Sequence, residues 1–350
     1  MATNPACCAV LPPHLLHAIA RNGSPEQRER ALRTLSVDST RRTARAVATA
    51  TSPRRPAPTA PAAPPGPRRT VSDAGHGTDL PGRAVREEGA PQTGDPATDE
   101  AYDGLGATYQ LYASAYGRDS VDGRGLPLLG SVHYSTDYDN AFWDGTQMVF
   151  GDGDGTLFLR FTRSVDVIGH ELTHGVTQVE AALAYQGQSG ALNESVSDVF
   201  GSLVKQQARG QSAEQADWLI GAELLAPGVH GVALRSMSAP GTAYDDPVLG
   251  KDPQPATMAG YVTTQEDDGG VHINSGIPNS AFHLAAVALG GRAWERAGRI
   301  WYDALLDPAV QPSTDFAAFA EITVQVAGRD PDAGGAAAVR DAWRQVGVLT

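Results

Sequence analysis

The sequence predicts an α+β fold in two lobes, the first rich in β-structure and the second mostly helical, with one polar-sided helix between them. Three observations predict it. Residues 131–155, SVHYSTDYDNAFWDGTQMVFGDGDG, alternate apolar and polar side chains and are broken by Asn-, Asp- and Gly-rich turns, which reads as an antiparallel sheet. Residues 166–198 then hold two apolar-faced helical patterns joined by a glycine-containing turn near 185–190. After Gly276 the chain reads as helical almost to its end, with breaks near Gly290-Gly291, Asp307-Pro308 and residues 330–335. The cleft is expected between the lobes, floored by the helix that begins near residue 165.

The 350 residues suffice for two medium domains plus an appendage, with a core that needs no disulfide. The appendage is N-terminal. Residues 5–35 hold a short apolar patch, PACCAVLPPHLLHAIA, and an Arg-rich helical pattern, SPEQRERALRTL, for which Ser24 is the expected cap, Pro25 the first-turn proline and Gln27 the capping-box partner. Residues 36–69 contain TSPRRPAPTAPAAPPGPRR, with almost no large apolar side chains, and read as an extended, protease-accessible linker. The folded body starts near residue 70, with its first lobe over 70–188 and its helical lobe over 189–350. A helix is expected near 98–116, and Ser164 is the expected N-cap of the helix that follows it.

Charge separates the same two parts. Residues 1–72 carry eleven Arg and three acids, a net of +8, whereas the rest carries −21, together the formal −13 of the chain. A basic head on an acidic body implies that the two attract each other. A nucleic-acid arm is the rival reading, but the head has no interleaved aromatics, and an acidic body disfavours nucleic acid as a partner. The two cysteines, Cys7 and Cys8, are neighbours, a poor geometry for a mutual bridge, so no disulfide framework is implied. No run has the length of a membrane-spanning helix. The start lacks a basic region followed by a clean apolar stretch, so no ordinary secretory signal is read.

The chemistry lies in His170-Glu171-Leu172-Thr173-His174, an H-E-x-x-H. Residues four apart share a helix face, so both histidines can aim a ring nitrogen at one metal ion with Glu171 beside them. Val167, Ile168, Leu172 and Val176 give this helix an apolar face, and a buried helix must satisfy its polar groups; a metal does so. A solvated surface pair of histidines fits that pattern poorly. Glu194, on the next helix, is the best third ligand, and Asp198 one turn later is placed to accept a ligand histidine's free ring N–H. His272 stands in QEDDGGVHINSG; a lone loop histidine is more often structural than catalytic, but Asp267 and Asp268 can orient and charge this one.

These motifs, HELTH, GALNESVSD, LRSMS and GGVHINSG, in that order and with YDNAFWDG and VFGDGDG upstream, resemble the thermolysin family of zinc endopeptidases from about residue 70 to the C-terminus. The resemblance implies a two-lobed zincin (gluzincin) fold and one catalytic zinc held by His170, His174 and Glu194. It implies Glu171 as the general base acting on zinc-activated water, and His272 with Tyr185 as stabilisers of the oxyanion. Asp198 and Asp267 would orient His170 and His272. Asn140 and the carbonyl of Ala141 would hold the substrate backbone, and Arg235 a substrate carbonyl beyond the scissile bond. Val167 and Leu234 match positions lining the family's apolar pocket, which implies cleavage before bulky hydrophobic residues. One departure stands out. Asp166 and Asp217 match the family's double calcium site, but Lys205, Leu219 and Ala222 occupy positions where acids belong, so the double site is expected to be lost; other Ca2+ sites stay open.

The N-terminal segment CCAVLPPHLL resembles the short propeptide of the protealysin-like branch. The expectation is a self-processing zymogen: residues 1 to about 70 mask the cleft as an intramolecular inhibitor, and a cut within the 50–70 linker releases it. Cys7 or Cys8 would either donate a thiolate to zinc or only pack. The expected partners are protein and peptide substrates, with no nucleic acid and no membrane, on a monomer. Localisation stays divided: the family's habit favours secretion, and the missing signal points to the cytoplasm or another export route. Two alternatives compete with this reading. A catalytically inactive zinc-binding relic, acting as a binding protein, should show a broken ligand or base, and none of His170, Glu171, His174, Glu194 or His272 is missing. A zinc exopeptidase lacks an evident group for a substrate's terminal amine.

Overall fold

The computed structural model describes residues 9–51, 66–329 and 335–350, with backbone alone for 41–51. The chain enters through helices α1 (Pro13–Asn22) and α2 (Pro25–Thr51). The expected capping box closes α2: the Gln27 N–H donates to Ser24 Oγ (3.2 Å) and the Ser24 N–H to Gln27 Oε1 (2.9 Å). The linker expectation needs correction at its start. α2 runs on to Thr51, well past residue 36, because residues 36–51 contain no proline and the proline-rich run begins only at Pro53. Residues 52–65, Cys7 and Cys8 lie outside the described residues.

The first lobe holds β1 (Arg69–Asp73), β2 (Arg83–Glu87), α3 (Pro96–Tyr116), β3 (Leu128–Val132), β4 (Ala141–Trp143) and β5 (Met148–Phe150). Asp95 caps α3 by accepting from the Thr98 N–H at 2.8 Å, and Pro96 occupies its first turn. The strands form one sheet in the order β2-β1-β3-β5-β4. It is mixed, not purely antiparallel as the alternation suggested. The β4–β5 hairpin is antiparallel, closed by the Asp144 turn, but β1–β3 and β3–β5 are parallel. Alternation along a strand reports which faces are buried; it does not report the direction of the neighbour. β4 ends up on the edge of the sheet, next to the helix pair.

That pair is α4 (Val165–Glu180) and α5 (Gly187–Arg209), buried along most of their lengths. Ser164 precedes α4 as expected but does not cap it; its hydroxyl donates to Asp166 Oδ1 at 2.6 Å. The two helices cross closely because glycines face each other. A Cβ on Gly201 would stand 2.3 Å from the Asp166 carbonyl oxygen, and one on Gly169 3.1 Å from the Gly201 Cα. Tyr112 on α3 pins α4 through its hydroxyl, 2.8 Å from Thr173 Oγ1.

The second lobe adds two-residue strand pairs, β6 (Leu219–Ile220) with β7 (Arg235–Ser236) and β8 (Asp245–Asp246) with β9 (Gly250–Lys251). Helices α6 (Asp267–Asn274), α7 (Gly276–Leu289), α8 (Ala297–Leu305), α9 (Phe316–Ala327) and α10 (Gly335–Gln345) follow, with breaks at 290–291 and 307–308 where the sequence predicts them; the break expected near 330–335 lies mostly outside the described residues. Trp301 stacks on Trp343 and meets Phe282 edge-on in the core of this lobe. One continuous apolar core runs through both lobes, and Val10, Leu11, Leu15, Leu16 and Ile19 of the N-terminal segment belong to it. Among the described residues no helix is long and apolar enough to cross a membrane.

Candidate metal centre and cleft

The close crossing of α4 and α5 brings the first three candidates together. His170 Nε2 lies 3.0 Å from His174 Nε2 and 3.5 Å from Glu194 Oε2, and His174 Nε2 lies 3.6 Å from Glu194 Oε1. All three side chains are buried. The opposite ring nitrogens are taken by oxygens. His170 Nδ1 meets Asp198 Oδ1 at 2.8 Å; His174 Nδ1 meets Asn193 Oδ1 at 2.8 Å and Ser197 Oγ at 3.0 Å. With the ring protons held on Nδ1, two lone pairs and a carboxylate converge on one point in a dry interior. Without a cation this is repulsive. Ligands at ~2.0–2.1 Å from a tetrahedral zinc ion stand about 3.3 Å apart, which the three separations bracket. The residues present therefore fit zinc.

The surrounding charges hold the donors in place. Asp198 accepts from Arg235 Nε and Nη2 (both 2.8 Å) and from Asn279 Nδ2 (2.9 Å), besides His170. Burial alone would raise its pKa; the Arg235 guanidinium and the His170 hydrogen bond outweigh that and hold it well below the usual carboxylate range. Burial lowers the His174 pKa to about 3, keeping the ring neutral as a ligand must be.

Glu171 is fully buried and turns toward the sheet edge, where the Trp143 N–H donates to its Oε2 at 3.1 Å. On the far side stands His272. A turn of four left-handed residues, Asp267 to Gly270, opens α6 and folds Asp267 back. Asp267 Oδ1 then sits 2.6 Å from His272 Nδ1, and its Oδ2 accepts the His272 N–H at 2.9 Å. Burial opposes charge on this ring, but Asp267 and Glu194 prevail and push its pKa up to about 9. Tyr185 Oη lies 3.2 Å from His272 Nε2 and donates to Glu194 Oε1. Asp268 is the second residue of that turn.

The remaining candidates meet the N-terminal segment. Ala9 pairs antiparallel with Phe142, and the Val10 N–H donates to the Ala141 carbonyl at 3.1 Å. Asn140 Oδ1 accepts the Leu11 N–H (2.9 Å), its Nδ2 donates to the Leu11 carbonyl (3.4 Å), and Arg235 Nη1 donates to the Val10 carbonyl (3.3 Å). The segment is thus an added strand on the β4 edge. His14 follows it into the cleft, half-buried, with Nε2 3.3 Å from Tyr244 Oη; loss of solvent around the ring lowers its pKa to about 4. Arg30 of α2 forks onto Asp139 (2.8 and 3.1 Å) and pairs with Asp137, and Asp38 accepts from Tyr138 Oη (2.7 Å) and Asn140 Nδ2 (3.0 Å). The basic head does grip the acidic body.

Sequence reasoning missed Asn193, Ser197, Asn279 and Asp38. Asn193 and Ser197 lie four apart in a largely apolar helix, and Asn279 interrupts the apolar GIPNSAFHLAAVAL; those were usable signals. Asp38 had none, since its partners are about a hundred residues away.

Comparison with known proteins agrees with this geometry. Residues 71–178 match the thermolysin metallopeptidase catalytic domain, 181–348 its alpha-helical domain, and 8–36 the protealysin propeptide. An extracellular metalloprotease of Pectobacterium carotovorum subsp. carotovorum is 55% identical over 341 residues, covering 97% of this chain and 96% of that protein. A thermolysin of Alicyclobacillus acidocaldarius is 41% identical over 240 residues, 67% of this chain and 41% of that longer protein. Among solved structures, the precursor of protealysin from Serratia proteamaculans superposes with a TM-score of 0.88 at 54% identity, covering 98% of this chain and 100% of that one. The chain belongs to the thermolysin metallopeptidase family, as a zinc metalloendopeptidase that carries a propeptide of the protealysin kind.

Proposed function

We propose that peptides bind as a strand on the β4 edge and are cut over the α4–α5 crossing, with the residues above in distinct roles. His170, His174 and Glu194 hold the zinc. Zinc, when bound, polarises the peptide carbonyl and lowers the pKa of water toward ~7. Glu171 takes the proton of the attacking water and passes it to the leaving amine. Its carboxylate is suited to this because the Trp143 N–H fixes one oxygen beside the edge strand that carries the substrate. His272, positioned and charged by Asp267, donates a hydrogen bond to the oxyanion, and Tyr185 supports it after turning away from Glu194. Asn140, the Ala141 carbonyl and Arg235 hold the substrate main chain, as they hold residues 9–11 here. Val167 and Leu234 line the pocket for the residue after the cut, so a bulky apolar residue is preferred there.

The propeptide is the inhibitor of this site. Residues 9–11 occupy the edge a substrate needs, and His14 closes the space beside His272. Cleavage by the enzyme itself within 50–70 frees the cleft. The protease acts outside the cell, as the Pectobacterium relative is named to do. The double calcium site is replaced: Lys205 Nζ pairs with Asp166 Oδ2 (2.9 Å) and Asp217 Oδ1 (2.8 Å) and donates to the Leu219 carbonyl. An ammonium bonded to two acids stands in for a cation and repels a second one.

One observation carries the reading: three buried ligand atoms converge beside Glu171, on the edge strand's doorstep. Replacing Glu171 by Gln tests it. Cut in trans within 50–70 and freed of its propeptide, the variant should retain the zinc of the cleft and lose roughly 10⁴-fold or more of the turnover that the equally processed parent shows on a blocked internal peptide, the upper end of general-base contributions. Substantial residual turnover with zinc in place would refute the assignment.

A further inference from the structure

Away from the cleft, three adjacent parallel strands end in metal-ligating side chains. β1, β3 and β5 lie side by side. His76 follows β1, His133 is the first residue after β3, and Asp152 the second after β5. Asp152 Oδ2 lies 3.1 Å from His133 Nδ1 and 3.5 Å from His76 Nδ1, and one donor atom from each residue falls within 4.8 Å of the others. Those two separations bracket the roughly 3.3 Å between donors that share a tetrahedral ion at ~2.0–2.1 Å.

The backbone has been shaped to bring the two imidazoles together. The His76 N–H donates to the His133 carbonyl (2.8 Å), and the Ser135 N–H donates to the Gly77 carbonyl (2.8 Å). Both histidines hold left-handed backbone, φ 60° and 53°, which side-chain-bearing residues seldom adopt. His133 is also supported from behind. Its Nε2 faces Asp95 Oδ2 at 3.3 Å, the carboxylate contact that fixes the tautomer and orientation of a ligand imidazole. The site opens to solvent: 61% of the His76 side chain is exposed, 34% of Asp152 and 24% of His133. An ion can enter, and water can complete its shell.

We propose that His76, His133 and Asp152 form a second metal site, oriented by Asp95, for a first-row divalent ion such as zinc. Two imidazoles and one carboxylate suit zinc, copper or nickel and are poor donors for calcium or magnesium. The bound ion ties together the ends of three strands. It also braces the 133–139 segment, whose Asp137, Tyr138 and Asp139 receive α2 of the propeptide.

The test uses the full chain carrying Glu171→Gln, so that it stays intact, dialysed against increasing zinc chloride with bound metal counted per chain. Two equivalents are expected, the tight one of the cleft and a weaker second. His76→Ala and Asp152→Asn each remove the second and leave the first, whose retention reports that the fold is intact. Asp95→Asn weakens the second equivalent ~10–100-fold, as loss of an orienting partner does; Asn caps a helix as Asp does, so α3 is kept. A parent chain that takes up only one zinc overturns the proposal, and so does a second equivalent that survives His76→Ala. Should Asp152→Asn lose the first equivalent too, the exposed His76→Ala change alone decides.

Discussion

His272 depends on a neighbour for its charge. Asp267 closes on its Nδ1 at 2.6 Å, and the ring holds its proton up to about 9. A donor that works protonated is active below its pKa and lost as pH rises through it. The processed enzyme should therefore show an alkaline limb near pH 9 in kcat/KM, and Asp267→Asn should move that limb down toward the ordinary histidine range; an unmoved limb would mean another group titrates. Removing the donor outright, as His272→Ala, is expected to cost ~10²–10³ in kcat. At this scale the sequence was informative where a residue type has few other uses in a buried helix. His170, Glu171, His174 and Glu194 were legible because two imidazoles and two carboxylates on apolar helices must be satisfied by something. Asn193, Ser197 and Asn279 were not, because amides and hydroxyls satisfy ordinary backbone needs as readily as they orient a ligand.

Helix pairing turns a local motif into a site. α4 alone presents two histidines; Glu194 reaches them only because Gly169 and Gly201 let α5 approach. Gly201→Ala places a Cβ against the Asp166 carbonyl, so the pair must separate. We expect a loss of about 1–3 kcal/mol in denaturant stability together with weaker zinc retention, the pairing of the two effects being the signature. Near the same crossing, Lys205 is buried between Asp166 and Asp217. Lys205→Met leaves the Asp166 charge fully buried with no cation beside it and only the Ser164 hydroxyl and the Gly221 N–H donating to it, a change that typically costs 3–5 kcal/mol; a denaturant midpoint close to that of the parent would show the cluster to be slack. Helix ends at Ser24, Gly276 and Gly290 were legible from caps and breaks, whereas the far end of α2 was not. Strand direction was not, since β3 and β5 become parallel neighbours through the intervening 133–140 loop, whose path no local pattern encodes.

Over the whole molecule, the charge split along the chain becomes a mechanism. The Arg-rich head lies on the acidic first lobe through Arg30, while its apolar residues Val10, Leu11 and Leu15 complete the core that both lobes share. Affinity between head and body thus comes from apolar burial, with the ion pairs fixing where the head lands. The attraction was legible in the composition; the register was not, because the Ala9–Phe142 pairing spans more than a hundred residues of chain. On the proposed reading, inhibition and substrate binding use the same edge and so exclude each other. The most direct measurement compares initial rates on a blocked internal peptide for the intact chain and for the chain cut within 50–70 and freed of its propeptide. Near-zero turnover before the cut and full turnover after it is the predicted result. Equal rates would contradict the account, since a strand on β4 held by Asn140, Ala141 and Arg235 leaves no room for substrate.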